Sequence, residues 1–204
     1  MRILSVNLAG PRPIQLAGGP QLTGIYKQPV SGAGVGPDGL IGDAVVDGRN
    51  HGGPDQAVYL YSWSDYQVFA AMGLAVAPAL FGENLTVDFW DYASLRIGDR
   101  LVAGTVELEL AAPRIPCAKL AARVGRSDFV RTFTAERRFG AYARVLRGGE
   151  VAVSDQVVCR PAQGTPTLLE AFDLFLSPQP DPALLRALLA APVAQRIRAR
   201  YLAS

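Results

Sequence analysis

Between Val30 and Asp47 the chain never sustains an apolar run long enough for a helix or a long strand. Brief apolar patches are cut by Gly32, Gly34, Gly36-Pro37-Asp38-Gly39 and Gly42-Asp43. Glycine reaches backbone angles closed to other residues and proline fixes φ, so such clusters mark tight turns. Punctuation this dense admits short strands in a curved or barrel-like sheet. The same turn-to-strand signature returns at Ile41-Gly42-Asp43-Ala44-Val45, Ile97-Gly98-Asp99-Arg100-Leu101 and Val153-Ser154-Asp155-Gln156-Val157. The intervening segments do not resemble one another, so this is shared turn chemistry, aspartates bonding to nearby backbone amides, rather than an internal repeat.

In chain order, residues 2–8 read as a first strand, 10–20 as a Gly- and Pro-rich loop, and 23–27 as a short strand. Residues 57–61 form a buried strand; Ser62 or Ser64 then caps a helix that ends at Gly73. Strands over 95–103 and 106–112 lead into Pro113. Short helices follow at 118–124 and 128–137, then a β-hairpin over 141–153 and a last strand at 156–160. After Pro161 the character changes: 167–176, 181–189 and 192–202 carry helix start signals at Thr165-Pro166-Thr167, Asp181-Pro182 and Pro192. The expected organisation is a β-rich domain over 1–161 with a three-helix module over 162–204.

A chain of 204 residues buries enough surface to fold without a disulfide or structural metal. Its formal charge of +2 gives no electrostatic case for nucleic acid. The first eight residues are too polar for a signal peptide, and no apolar run approaches the ~18 residues of a membrane span. The two cysteines, Cys117 and Cys159, show no framework spacing. The expectation is a cytoplasmic protein with reduced thiols, off the membrane, as a monomer or homodimer.

Three stretches carry candidate chemistry. Pro113-Arg114-Ile115-Pro116-Cys117-Ala118-Lys119 sets a cysteine between two cations, which stabilise a thiolate, and its prolines stiffen the backbone. The sole histidine lies in Arg49-Asn50-His51-Gly52-Gly53-Pro54-Asp55-Gln56. There Gly52 and Gly53 could present amides to an anion beside Arg49 and His51. Phe81-Gly82-Glu83-Asn84-Leu85-Thr86 offers Asn84 to a ligand edge and Glu83 as proton carrier or cap. Each has a plainer reading as buried thiol, turn and loop. A protein-only zinc site and a Ser-His-Asp constellation are unsupported; a Cys117/His51 nucleophilic pair remains open.

Taken together and in order, these three segments resemble the MOSC domain family, in its stand-alone bacterial branch linked to resistance to N-hydroxylated purines. The resemblance covers nearly the whole chain. It implies a mainly β fold (a β-barrel of the pyruvate-kinase-like kind) with a few short helices and a C-terminal helical module, and a pocket that binds the molybdenum cofactor. Carried over by position, Cys117 is the molybdenum ligand, with Arg49, His51, Gly52, Gly53, Asn84, Arg114 and Lys119 around the anionic cofactor and His51 as a second catalytic candidate. A soft thiolate suits a metal that already holds sulfur ligands, so one protein ligand suffices. The implied activity is reduction of small N-oxygenated substrates. The chain has no Fe–S cysteine set and no Rossmann fingerprint, so electrons come from a separate reductase. Two alternatives stay open: a sulfur carrier with a Cys117 persulfide, and a non-catalytic module for a pterin or phosphorylated ligand. Pyridoxal phosphate on Lys119 is a weaker option.

Overall fold

The first strand, β1 (Ile3–Leu8), buries Ile3, Ser5, Val6 and Asn7. What it joins is seen in a computed structural model describing residues 1–46 and 52–202. Residues 10–20, expected as loop, instead form most of a hairpin of β2 (Arg12–Leu16) and β3 (Gly19–Thr23). Among the described residues it pairs with no other strand, so Pro13 and Pro20, which lack an N–H, sit on edges where no donor is missed. Then come β4 (Gln28–Val30), β5 (Gly32–Gly36) and β6 (Gly39–Leu40), as brief as their glycines require.

After a 3-10 turn at Pro54–Gln56, β7 (Val58–Ser62) is buried at every position. The Ser62 hydroxyl accepts from the Ser64 amide and caps α1 (Trp63–Ala71), which crosses to β8 (Leu85–Val87). This helical crossover lets β7 and β8 pair in parallel, while every other strand pair is antiparallel. Next are β9 (Arg100–Ala103), β10 (Val106–Pro113), α2 (Ala118–Val124), α3 (Phe129–Glu136) and β11 (Ala141–Arg147). β12 (Gly149–Ala152) and β13 (Val157–Arg160) complete the strands. The expected 141–153 hairpin does not form: β11 lies between β10 and β7, whereas β12 pairs with β5. The reason lies in Gly148 and Gly149. A Cβ there would stand 2.5 Å from the Val35 carbonyl oxygen and 2.2 Å from the Thr105 hydroxyl oxygen, so these glycines serve close backbone approach between layers.

The main sheet runs β13-β9-β10-β11-β7-β8-β1-β4, beside a three-stranded sheet β12-β5-β6. The fold is mainly β with a few short helices, as expected, but the main sheet is open rather than a closed barrel. Its ends approach: the Ile3 amide donates to Asp155 O at 2.9 Å and Val157 N to Met1 O at 2.8 Å. A single bridge, Arg2 with Gln156, stands where a closing ladder would be. Tyr59 and Tyr61 share one face of β7. Tyr61 packs on Tyr66, Phe81 and Phe133 at centroid distances of 4.8, 5.0 and 6.3 Å.

The tail folds as α4 (Leu168–Leu176), α5 (Pro182–Ala190) and α6 (Gln195–Leu202), with a Thr167/Glu170 capping box at its start. Phe172 stacks on Phe139 at 4.0 Å and is fully buried, worth about 1.5–3 kcal/mol. Leu168 N donates to Leu95 O and Ala194 N to Ala111 O, both at 2.8 Å, which stitches the helices to the sheet. No helix among the described residues is long and apolar enough to cross a membrane.

Candidate functional site

β10 alternates partly and fully buried residues until Leu110, then stays buried through Pro113. It thereby carries Arg114 into the interior, where the residue is 4% exposed. The guanidinium carbon lies 5.4 Å from the Tyr59 ring centroid and 5.7 Å from that of Phe133. Burial works against its charge, but Tyr59, Tyr142 and Cys117 outweigh that and its pKa is raised. Among the described residues Nη1 is buried with no hydrogen-bond partner, while the guanidinium shares a side-chain hydrogen bond with Tyr142. Among the described residues no carboxylate forms an ion pair with it. A buried donor nitrogen in this state is costly unless something accepts from it.

The same cavity holds a second, compensated cation. Asp43, on the turn after β6, accepts from Ala9 N at 2.8 Å, from Asn84 Nδ2 at 2.8 Å and from Lys27 Nζ. Burial pushes the Lys27 pKa down, while Asp43 pulls it back up. Asn84 Oδ1 accepts from the Tyr59 amide at 3.0 Å, so the Asn84 amide bridges β7 to Asp43 while also lining the cavity. Sequence reasoning missed Lys27 and Asp43 as site residues. A signal existed: Lys27 is one of two lysines among twenty Lys and Arg residues. All three turn aspartates do accept backbone amides, Asp99 from Arg96 and Ala162 and Asp155 from Ala152. Asp43 alone of the three lines the cavity.

Glu83 has the contacts of a loop cap. It is fully buried and accepts from Tyr66 Oη at 2.8 Å, Thr86 Oγ1 at 2.8 Å and Ala79 N at 2.7 Å. Burial raises its pKa against those bonds. It is the strut of the 79–84 loop. Gly52 and Gly53 both take positive φ, 107° and 80°, and a Cβ on Gly52 would lie 2.2 Å from Val45 Cγ1. The turn therefore needs glycine. The Gly52 amide is already given to Gln56 Oε1 at 3.1 Å, so it is not the open anion donor the sequence suggested. Gly52 lines the cavity and Gly53 does not. Arg49 and His51 lie outside the described residues.

Cys117 is a half-buried thiol outside any disulfide, with extended backbone just before α2. It lines a cavity of about 100 Å³ with Arg114, Lys27, Lys119 and Tyr142, and also two neighbouring cavities. Cys159 differs: burial, then Asp99, pushes its pKa up to about 11, which keeps it a thiol. Among the described residues no three His, Cys, Asp or Glu side chains converge as a metal site. Among the described residues the donor set is thus one soft sulfur beside a buried guanidinium whose Nη1 lacks an acceptor. That suits an anionic group bringing a metal with its own sulfur ligands, which is how the molybdenum cofactor is built.

The MOSC domain family matches residues 47–158. The uncharacterized protein YflK of Bacillus subtilis is 34% identical over 152 residues, spanning 74% of this chain and 69% of that protein. A protein of Gibberella moniliformis named Reductase is 31% identical over 69% of this chain but 26% of its own length. The crystal structure of YiiM from Geobacillus stearothermophilus superposes with a TM-score of 0.82 at 23% identity, covering 98% of this chain and 97% of that one. That likeness concerns the fold, and the family match spans more than half the sequence. The chain belongs to the MOSC domain family.

Proposed function

We propose that the chain is a molybdenum-cofactor-binding oxidoreductase that reduces N-hydroxylated bases or related N-oxygenated compounds. The observation that carries this reading is the buried Arg114 guanidinium, its Nη1 without a partner among the described residues, in the cavity that the Cys117 thiol lines. Membership of the MOSC family supports it, and so does the relative named Reductase, within the part of that protein that aligns. When bound, the cofactor supplies the metal, its dithiolene sulfurs and the two-electron chemistry. Cys117 gives the metal one thiolate, and Arg114 with Lys119 holds the anionic group. Asp43 keeps Lys27 in place at the cavity wall. The net change is N–OH plus two electrons and two protons to N–H plus water. The electrons come from a separate reductase protein, and His51 or a cavity water delivers a proton.

Protein made in a host that synthesises the cofactor should contain molybdenum and pterin and reduce an N-hydroxylated base when supplied with a reductant. Cys117→Ala should lose both metal and activity. Full retention of the two in that variant sinks the assignment. A sulfur atom added to Cys117, seen by mass spectrometry without molybdenum, would replace it with the persulfide-carrier reading.

A further inference from the structure

A second cavity, of about 370 Å³, shares Gln56, Cys117, Lys119 and Tyr142 with the first. Its remaining walls differ in kind. Pro113 and Ile115 come from the end of β10 and its continuation, and Phe175, Arg196 and Ile197 come from the helical tail. The surface is largely apolar, with one cation from the tail, and its volume falls in the range that small molecules occupy.

Arg196 is held in place by its neighbours. Ala194 N donates to Ala111 O on β10, and Gln195 N donates to Asp55 Oδ2 at 2.7 Å. Asp55 belongs to the Gly52-Gly53-Pro54-Asp55 turn and is clamped by Arg144 at 2.8 Å. Ile197, on the other side, is 5% exposed. The start of α6 is therefore tied to the strand that delivers Cys117 and to the glycine turn. Arg196 shares this cavity wall with Tyr142, whose pKa burial raises while Arg114 and, more weakly, Arg196 pull against that rise.

We propose that this cleft holds the substrate beside Cys117, and that Arg196 sets its specificity by pairing with a carboxylate or other anionic group on a mostly apolar small molecule. The tail is then a wall of the site. The inference rests on the reading that the chemistry occurs at Cys117, but its test does not need the cofactor.

The test compares alkylation of Cys117 by iodoacetate and by iodoacetamide in the cofactor-free full chain, with the labelled peptide identified by mass spectrometry. Both reagents react alike, the thiolate displacing iodide, and differ in charge. Removing one cation from the wall of the cleft that holds the reacting sulfur, about 4–10 Å away in water-like surroundings, should lower the iodoacetate-to-iodoacetamide rate ratio about two- to fivefold in Arg196→Gln. Arg196 is exposed, so the variant should fold. Arg186→Gln, an exposed site on α5 outside the cleft, should leave the ratio unchanged. An unchanged ratio in Arg196→Gln, or an equal fall in Arg186→Gln, overturns the proposal. An Arg196-dependent ratio in a protein that never acquires molybdenum would instead leave the cleft standing and remove the cofactor reading.

Discussion

Replacing Arg114 by methionine separates what the fold needs from what a ligand needs. A cation taken from water without a carboxylate costs the folded chain several kcal/mol. Its orphaned Nη1 adds about 1–3 kcal/mol as an unsatisfied donor. The Tyr59 and Phe133 rings return about 0.5–2 kcal/mol each. Methionine keeps favourable contact with both rings through its sulfur and carries no charge. Cofactor-free Arg114→Met should therefore be more stable than wild type by about 1–2 kcal/mol, a rise in Tm of roughly 2–8 °C for a chain of this size. Anion binding should move the other way. Losing one partner of a buried charged pair costs about 2–5 kcal/mol, or about 30- to 4,000-fold in affinity. The assay is thermal unfolding with and without inorganic phosphate, together with molybdenum content after expression in a cofactor-making host. Wild type should gain Tm from phosphate and the variant should not. A variant that melts several degrees lower yet keeps its phosphate response would refute the idea that Arg114 is held for an anion.

Three further outcomes follow from the same contacts. Glu83→Ala leaves Tyr66 Oη, Thr86 Oγ1 and Ala79 N without their acceptor and should cost about 3–5 kcal/mol in urea unfolding, whereas Glu83→Gln should cost less than half of that. Asp43→Asn strips the buried Lys27 of its countercharge and should cost about 3–5 kcal/mol; adding Lys27→Met should recover most of it, and a strictly additive double variant would contradict the pairing. Cys159, with its pKa raised from 9.0 to about 11, should resist iodoacetamide at pH 8 and label progressively between pH 9 and 11. Its sign in stability follows: the unfolded chain releases this proton first, so the contribution present below pH 9 is lost as pH rises through 11. Cys159→Ser should flatten that fall.

What could be read from the residues alone was what local chemistry determines. The Ser62 cap, the Thr167 start of α4 and the short strands around Gly36-Pro37-Asp38-Gly39 were legible because each depends on a few adjacent side chains. The failures were non-local. Gly148-Gly149 looks like a reversal in sequence, and only the proximity of Val35 and Thr105 shows that it is a crossing point between two sheets. Glu83 and Asn84 stood out equally as polar loop residues. Glu83 proved fully committed to Tyr66, Ala79 and Thr86, while Asn84 both bridges and lines the cavity. Lys27 and Arg196 lie far from the three motifs in sequence and reach the cavities through the topology. Gly52 was recognised as a special turn residue, but its amide partner Gln56 was not, because one contact across four residues leaves no pattern to read.

The buried ionisable side chains, taken side by side, give the strongest physical argument about the site. Asp65 is held by Tyr92 Oη at 2.7 Å and Arg138 at 2.8 Å, and burial still raises its pKa. Lys27 has Asp43, and Glu83 has three sets of donors. In each case the protein supplies the partner that desolvation demands. Arg114 differs among the described residues: it sits deeper than Arg138, rests on two aromatic rings and Tyr142 rather than on a carboxylate, and leaves Nη1 without an acceptor. A chain whose stability were the sole constraint could fill that space with an apolar side chain at lower free energy. The position is intelligible if the missing partner is an anion that arrives from outside. The half-buried thiol and Lys119 on the same cavity then become parts of one receptor, because an anion neutralising Arg114 would sit among them.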